Sequence, residues 1–484
     1  MTKINLTLSN LDEVFPANFS QEQVAKAKTL FLKELAGLSH EFYKGKMQTI
    51  PKAPVIGFNW FNVWYTPGVS RVSTDIRDNN DRSYDLSNRG NLIAVVSDST
   101  RVLGDGNCTP PGGLGVMEGK AFLMKYLGGV DAMALCIDSR DKNGKNDADK
   151  IIEFVKMLQY SFGGINLEDI SNPNCYKVLD TLRKECSIPV WHDDAQGTAC
   201  VTLAGLINAF KLANKKIEDV KIVLLGAGAS NTSVVRFLHK AGADPLKTIM
   251  IDSKRGLHKN RKDIEEDLRY YPKWEVCQTT NPNCVETLEE ALKGADALVA
   301  LSIPGPNSFN PALIKTMADK PIVFACANPV PEIYPYEAKE AGAFITATGR
   351  GDFPNQVNNS LGFPGILKGA LLTNASAITD EMAIAASYSL ARFAEKRGIN
   401  PDNIIPTMDE HGVFPHEAAD VAMQAIKDGV ARKKLTWDEA YKMAQADIEL
   451  SRGMTQKLID DGFIKQPPAG MVEKALEWAI KQVS

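Results

Sequence analysis

The chain is short of the features that mark several common protein classes. No apolar run approaches membrane-spanning length, so no transmembrane helix and no membrane partner are expected. Lys and Arg number 55 against 59 Asp and Glu, a net charge of −4, so nothing favours nucleic acid or another polyanion as a partner. The eight cysteines show neither CxxC nor metal-ligand spacing, and Cys136, Cys200 and Cys326 lie among apolar residues; reduced core thiols are expected. Only six histidines are present, none at metal-binding spacing. Near the start, Asp12 and Glu13 take the place of an apolar segment, so a secretory leader is not expected and the default location is cytoplasmic. Repeats and low-complexity segments are missing as well. What remains is an ordinary globular composition, 44% hydrophobic and 24% charged, over 484 residues, enough for two or three domains.

The informative stretch runs from Phe162 to Thr198. Two acidic pairs, Glu168/Asp169 and Asp193/Asp194, each follow a short apolar run. Between them, Tyr176, Val178, Leu179 and Leu182 predict a helix over 175–185. Strand, crossover helix, strand makes the strands parallel, and both pairs then sit at carboxyl ends, where open α/β sheets bind ligands. Successive strand residues face opposite ways, so three ligands require a pair just past its strand end. Hard oxygen donors without nearby cysteine suit Mg²⁺ or Mn²⁺. Two solvated loop ends are the competing reading.

Along the rest of the chain, 21–45 predicts a helix that ends near Gly37 or continues after a break. An aromatic run follows (Trp60, Phe61, Trp64, Tyr65), which on composition reads as core packing. The charged stretch 77–89 reads as a solvated loop and helix. Leu92 to Ser97 is a strand candidate, a helix starts near Glu118 or Lys120, and Met133 to Ile137 reads as a buried strand. From 201 the pattern alternates strand and helix, giving a doubly wound domain over 201–370. Beyond it, helices are expected at 371–397, 416–431, 436–462 and 470–482 as a tail packing back on the first domain, 1–200. The expected fold class is α/β: a metal and substrate domain, a Rossmann-type NAD(P) domain and a C-terminal helical tail.

Gly226-Ala227-Gly228-Ala229-Ser230-Asn231 follows a predicted strand and opens a predicted helix, the context a dinucleotide fingerprint requires. Gly226 permits the tight turn and Gly228 the approach of a pyrophosphate to the helix N-terminus, while Asn231 replaces the usual third small residue. Asp252 ends the next strand, placed to accept ribose hydroxyls, with Ser253 and Lys254 beside it. Lys254 and Arg255 are two cations against one carboxylate, which leans toward NADP over NAD.

These motifs, with Tyr65-Thr66-Pro67-Gly68-Val69, Arg101-Val102-Leu103-Gly104, Val116 to Lys120, Gly163 to Asp169, His192 to Thr198, Ala327 to Glu332 and Asn355 to Asn359, closely resemble the malic enzymes, in the short form of bacteria and some protists. The resemblance covers almost the whole chain. It implies oxidative decarboxylation of (S)-malate to pyruvate and CO₂ with NAD or NADP and Mg²⁺ or Mn²⁺. It places the metal ligands on Glu168, Asp169 and Asp194 with Asp193 beside them, the general base on Lys120 and the general acid on Tyr65. Substrate-carboxylate partners fall on Arg101, Asn328 and one of Asn358 and Asn359. A homodimer is implied too. Departures are Asp105 where an apolar residue is usual, Asn231, and the loop 108–115. A malolactic enzyme and an amino-acid dehydrogenase are the rival enzymes; a nucleotide-binding regulator would not need Lys120, Tyr65 and the carboxylates together.

Lys120 serves as a base only when neutral; the four carboxylates favour its charged form and a nearby dication the neutral one. His192 reads as structural or supporting rather than as a ligand.

Overall fold

In the computed structural model, residues 3–306 and 308–484 are described. Near-continuous apolar runs become strands buried on both faces, as parallel sheets covered by helices require. The first sheet holds β1 (Leu92–Ser97), β2 (Asp131–Cys136), β3 (Gly164–Leu167) and β4 (Val190–His192) in the order β2-β1-β3-β4. The second holds β5 (Ile222–Leu225), β6 (Thr248–Ile251), β7 (Ala297–Ala300), β8 (Ile322–Ala325) and β9 (Ile345–Thr348) in the order β6-β5-β7-β8-β9. Every neighbouring pair is parallel. Both orders double back beside their first strand, so each sheet has a switch point: β1 against β3, and β5 against β7. Connections leaving such a point in opposite directions open a crevice at the strands' carboxyl ends.

Two compact units are present, one of residues up to 50 together with 452–484, the other of 51–451. In the smaller, Gln21–Tyr43 forms one helix, started by a Ser20/Gln23 capping box and continuous through Gly37. It packs on the helix Met471–Val483 through Phe31, Val472, Ala475 and Ala479. In the larger, the helices Phe363–Leu372, Asp380–Arg397 and Val413–Lys427 pack on one another and on the helices Leu114–Gly128 and Thr198–Ala213. Among the described residues no helix is long and apolar enough to cross a membrane.

Four local expectations are corrected. β2 is an edge strand rather than a buried one, with Met133 41% exposed. The helix expected from 118 or 120 begins at Leu114, just after Gly113, which packs so closely that a Cβ there would stand 2.1 Å from the Ser99 hydroxyl. The helix expected over 371–397 breaks at 373–379, where Asn374 is left-handed and Thr379 caps the next helix. Within the charged stretch 77–89, Arg89 is buried, stacked on Tyr84 and donating to the Phe162 carbonyl.

Candidate active site

Both acidic pairs lie just past their strands. β3 ends at Leu167, and Asp169 takes a left-handed backbone (φ 53°), which turns its side chain out of the strand's alternation. β4 ends at His192, and Asp193–Gly197 coils into a π turn before the helix Thr198–Ala213. The result is convergence. Single oxygens of Glu168, Asp169 and Asp194 lie within 4.8 Å of one another. The Asp169 N–H donates to the Asp194 carboxylate at 2.7 Å. Asp169 Oδ2 is buried without a hydrogen-bond partner. An orphaned buried oxygen in a ring of hard donors is what a small dication would satisfy, so the residues fit Mg²⁺ or Mn²⁺.

Lys120, buried on the helix Leu114–Gly128, is ion-paired to Asp193 and stands 3.0 Å from Glu168. Asp193 is held in turn by the Trp191 indole N–H at 3.0 Å, and Glu168 by the Asn166 amide at 2.9 Å. The ammonium also lies 4.7 Å from the centre of the Phe363 ring. Burial pushes the Lys120 pKa down, but Asp193, Glu168 and Asp194 outweigh it and hold the amine well above its ordinary value. Burial drives Glu168 and Asp193 up against the pull of Lys120. Burial and the Asp194 charge push Asp169 up to about 8. His192 is fully buried beside the cluster, 3.7 Å from Asp194, with its pKa lowered by burial; it stays neutral.

The other sequence-derived positions divide. Arg101 reaches the cluster through its backbone, its N–H donating to the Asp169 carbonyl at 3.0 Å. Its loop packs against Asn328: a Cβ on Gly104 would meet the Asn328 carbonyl oxygen at 2.9 Å. Asn359 also borders the cluster. A Cβ on Gly197 would lie 2.1 Å from Asp193 Oδ1 and 3.2 Å from the Asn359 Cβ. Asn358 is occupied otherwise, accepting from Ser360 N–H and donating to the Gly349 carbonyl. Tyr65 is 73% exposed, and the aromatic run around it is surface rather than core.

At the second switch point, Gly226 is left-handed (φ 96°) and tight against β7, where a Cβ would meet the Leu301 carbonyl at 2.4 Å. Gly228 has open space instead; nothing lies within 4 Å of a Cβ there, a cradle that fits an approaching pyrophosphate at the start of the helix Ala229–Lys240. The Asn231 side chain is buried and turned inward, its amide donating to the Leu225 and Gly226 carbonyls, so it braces the loop. Ser230 donates to the Asp194 carbonyl at 2.9 Å, fastening the nucleotide loop to the acid-bearing turn. Asp252 accepts from the Lys254 and Arg255 N–H groups and from the buried Arg261 guanidinium at 2.8 Å. Burial raises the Asp252 pKa, but those bonds outweigh it and hold it below its ordinary value. Ser253 is exposed on the same turn.

Family comparisons agree with this geometry. The family model described as "Malic enzyme, N-terminal domain" matches residues 44–183, and "Malic enzyme, NAD binding domain" matches 195–427. The chain belongs to the malic enzyme family. The crystal structure of Entamoeba histolytica malic enzyme superposes with a TM-score of 0.98 at 63% identity over 100% of both chains. The bifunctional malic/malolactic enzyme of Bacillus subtilis is 42% identical over 83% of this chain and 95% of its own length. The NAD-dependent malic enzyme of Geobacillus stearothermophilus is 42% identical over 80% of this chain and 78% of its own. NADP-dependent relatives match too, among them that of Halomonas elongata, 38% identical over 76% of this chain and 87% of its own. As a malic enzyme the chain oxidatively decarboxylates malate to pyruvate and CO₂, with NAD(P)⁺ reduced and a divalent cation required.

Several residues of this malic enzyme's site escape a reading of the sequence. Trp191 lies in β4 two residues before Asp193, and its indole N–H reaches that carboxylate from just inside the strand end. Phe363 carried no signal, since it arrives beside Lys120 from a distant segment.

Proposed function

We propose that Glu168, Asp169 and Asp194 hold the divalent cation, that Lys120 is the general base, and that Asp193 positions it. The observation carrying this reading is the convergence of three carboxylate oxygens within 4.8 Å beside a buried lysine. When bound, the cation would supply Lewis acidity and the nicotinamide a hydride acceptor. Lys120, once its proton is surrendered, accepts the C2 hydroxyl proton. Asp193, fixed by Trp191, keeps the amine aimed. Arg101 is placed to clamp a substrate carboxylate in bidentate fashion, with Asn328 and Asn359 completing its pocket. Asn358 is left to brace the loop. Tyr65 returns a proton to C3 after CO₂ departs.

For the cofactor, Gly226, Gly228, Ala229 and the backbone of Ser230 and Asn231 receive the pyrophosphate, and Asp252, Ser253 and Lys254 border the adenosine ribose. The lean toward NADP rests on cations that already have surface partners, Lys254 3.2 Å from Asp263 and Arg255 3.6 Å from Glu286, and that would turn from them to a 2′-phosphate. We retain the division into a substrate and metal domain (1–200), an NAD(P) domain (201–370) and C-terminal helices (371–484), and place the enzyme in the cytoplasm as a homodimer.

The test is NAD(P)H absorbance with malate, Mn²⁺ and either cofactor. Net reduction that stops when EDTA is added is expected. Lactate formation with no accumulation of reduced cofactor favours a malolactic enzyme instead, and activity that survives EDTA overturns the metal assignment.

A further inference from the structure

The loops that follow β7 and β8 run side by side at the carboxyl end of the second sheet, and one side chain joins them. Glu332 is fully buried, and its carboxylate faces both ways. Oε1 accepts from the Ser302 N–H at 2.6 Å and from the Ser302 hydroxyl at 3.1 Å, in the loop after β7. Oε2 accepts from the Ala327 N–H at 3.1 Å, in its own loop after β8 and next to Asn328. The neighbours of the two ends differ. Ser302 lies against the nucleotide turn, since a Cβ on Gly226 would meet the Leu301 carbonyl oxygen at 2.4 Å and the Ser302 Cα at 3.1 Å. Asn328 lies against the Arg101 loop, where a Cβ on Gly104 would meet its carbonyl oxygen at 2.9 Å and the Pro304 Cγ at 3.6 Å. One end of the carboxylate therefore holds the wall of the cofactor turn, and the other holds the segment that carries Asn328. Among side chains of this length only a carboxylate accepts at both ends; glutamine offers one acceptor and one donor.

We propose that Glu332 is a positioning residue that sets Asn328 in register with the nucleotide turn, so that malate is presented to a cofactor held by the same frame. The proposal rests on the assignment of Asn328 to a substrate carboxylate made above. With no exposed surface, Glu332 cannot itself touch malate. It acts through the loop. β8 ends at Ala325, so Asn328 stands beyond the hydrogen bonds of the strand. The loop is held from the side instead, by Glu332 at Ala327 and by the Arg350 guanidinium on the Pro329 carbonyl at 2.8 Å. Between the two loops the backbone contacts are long, Gly305 N–H to the Val330 carbonyl and Ser308 N–H to the Glu332 carbonyl, both at 3.3 Å. The carboxylate is the short link. A misplacement of about 1 Å in a bound substrate can lower a rate on the order of 100-fold, so a link of this kind bears directly on turnover.

A double-mutant cycle tests this. E332Q keeps the shape of the side chain. Its oxygen is expected to stay with the two Ser302 donors, which leaves the amide facing the Ala327 N–H, donor against donor. Only the Asn328 end is then released. At saturating NAD(P)⁺ and Mn²⁺, kcat/KM for malate is expected to fall about 10-fold, the size expected for one such bond, while NAD(P)H affinity by fluorescence titration stays within about 2-fold of wild type. N328A is expected to lower kcat/KM for malate directly. Because Glu332 acts through Asn328, adding E332Q to N328A is expected to lower it no further. Effects that multiply overturn the proposal, since a carboxylate that only stabilises the fold acts whether or not Asn328 is there. Wild-type kcat/KM in E332Q overturns it, as does a loss of cofactor affinity as large as the loss in kcat/KM. If N328A leaves kcat/KM for malate unchanged, the assignment of Asn328 fails and the proposal with it, and that result is read before E332Q is measured. Where E332Q does not yield folded protein, S302A removes one donor from the other end and enters the same cycle. A fall of about 3-fold that vanishes in the N328A background supports the proposal, and no fall, or one that persists there, overturns it.

Discussion

Replacing Glu417 with glutamine should remove a pH-dependent liability from the fold. Glu417 lies in the helix Val413–Lys427 and is fully buried, with neither carboxylate oxygen hydrogen-bonded among the described residues. It presses on the helix Phe363–Leu372 so closely that a Cβ on Gly365 would stand 2.1 Å from Oε2. Burial, and then the charge of Asp420, raises its pKa well above 4.5. The folded chain thus keeps a proton that the unfolded chain gives up above its ordinary pKa. Where the folded state binds more protons, stability falls as pH rises. The contribution is fully present below the unfolded value of 4.5 and is lost as pH climbs toward the folded one. Each pH unit in that window costs about 1.4 kcal/mol. E417Q keeps the shape and cannot titrate; whatever its amide costs is the same at every pH. For a chain this long the entropy of unfolding is about 1 kcal/mol/K, so the mutant's melting temperature should gain about 1.4 °C on wild type for each pH unit in that window. Paired thermal scans at a fixed rate measure this. Parallel curves across the range would refute the reasoning.

Two further outcomes follow from the site. D194A should abolish Mn²⁺-dependent turnover while leaving NAD(P)H binding by fluorescence titration intact, because Asp194 offers the cation its side chain but meets the nucleotide loop only through its backbone carbonyl; unchanged turnover would sink the ligand assignment. D263N should free Lys254 and raise kcat/KM with NADP⁺ relative to NAD⁺ by about 5-fold or more, the value of one charge-assisted contact to a phosphate; a ratio unmoved by the substitution counts against Lys254 as a 2′-phosphate partner.

Periodicity carried the architecture because both sheets are buried and parallel: β5 and β7 read as apolar runs ending on Gly226 and on Leu301, and the switch point between them follows from connection rules. The site was legible for the same reason, since Glu168, Asp169, Asp193 and Asp194 terminate adjacent strands. Edges were not legible. β2 has the composition of an interior strand, and only its place in the sheet exposes Met133. Tyr65 shows the opposite failure: an aromatic run reads as core from composition alone, although here it lies at the surface, with Tyr65 itself 73% exposed. Asn231 looked like a defect in the nucleotide fingerprint because the motif describes backbone needs, while this side chain meets the need differently, by bonding two loop carbonyls.

The charges of the cluster argue for an order of events. Among the described residues, Lys120 is the only Lys or Arg within ion-pair distance of Glu168 and Asp193, and none lies so close to Asp169 or Asp194. A structural salt-bridge network would match its carboxylates with cations; this one leaves an excess of negative charge in a buried space, where burial already drives three of the four acids toward the neutral form. A dication reverses both tendencies together. It stabilises the ionised acids, and its positive charge opposes the field that keeps the proton on Lys120. On the proposed assignment, the carboxylates that hold the proton on the lysine would also hold the ion able to release it, so cation binding would precede proton abstraction. Withholding the metal would then silence the base as well as the Lewis acid, and the proposed site would depend on one ion twice over.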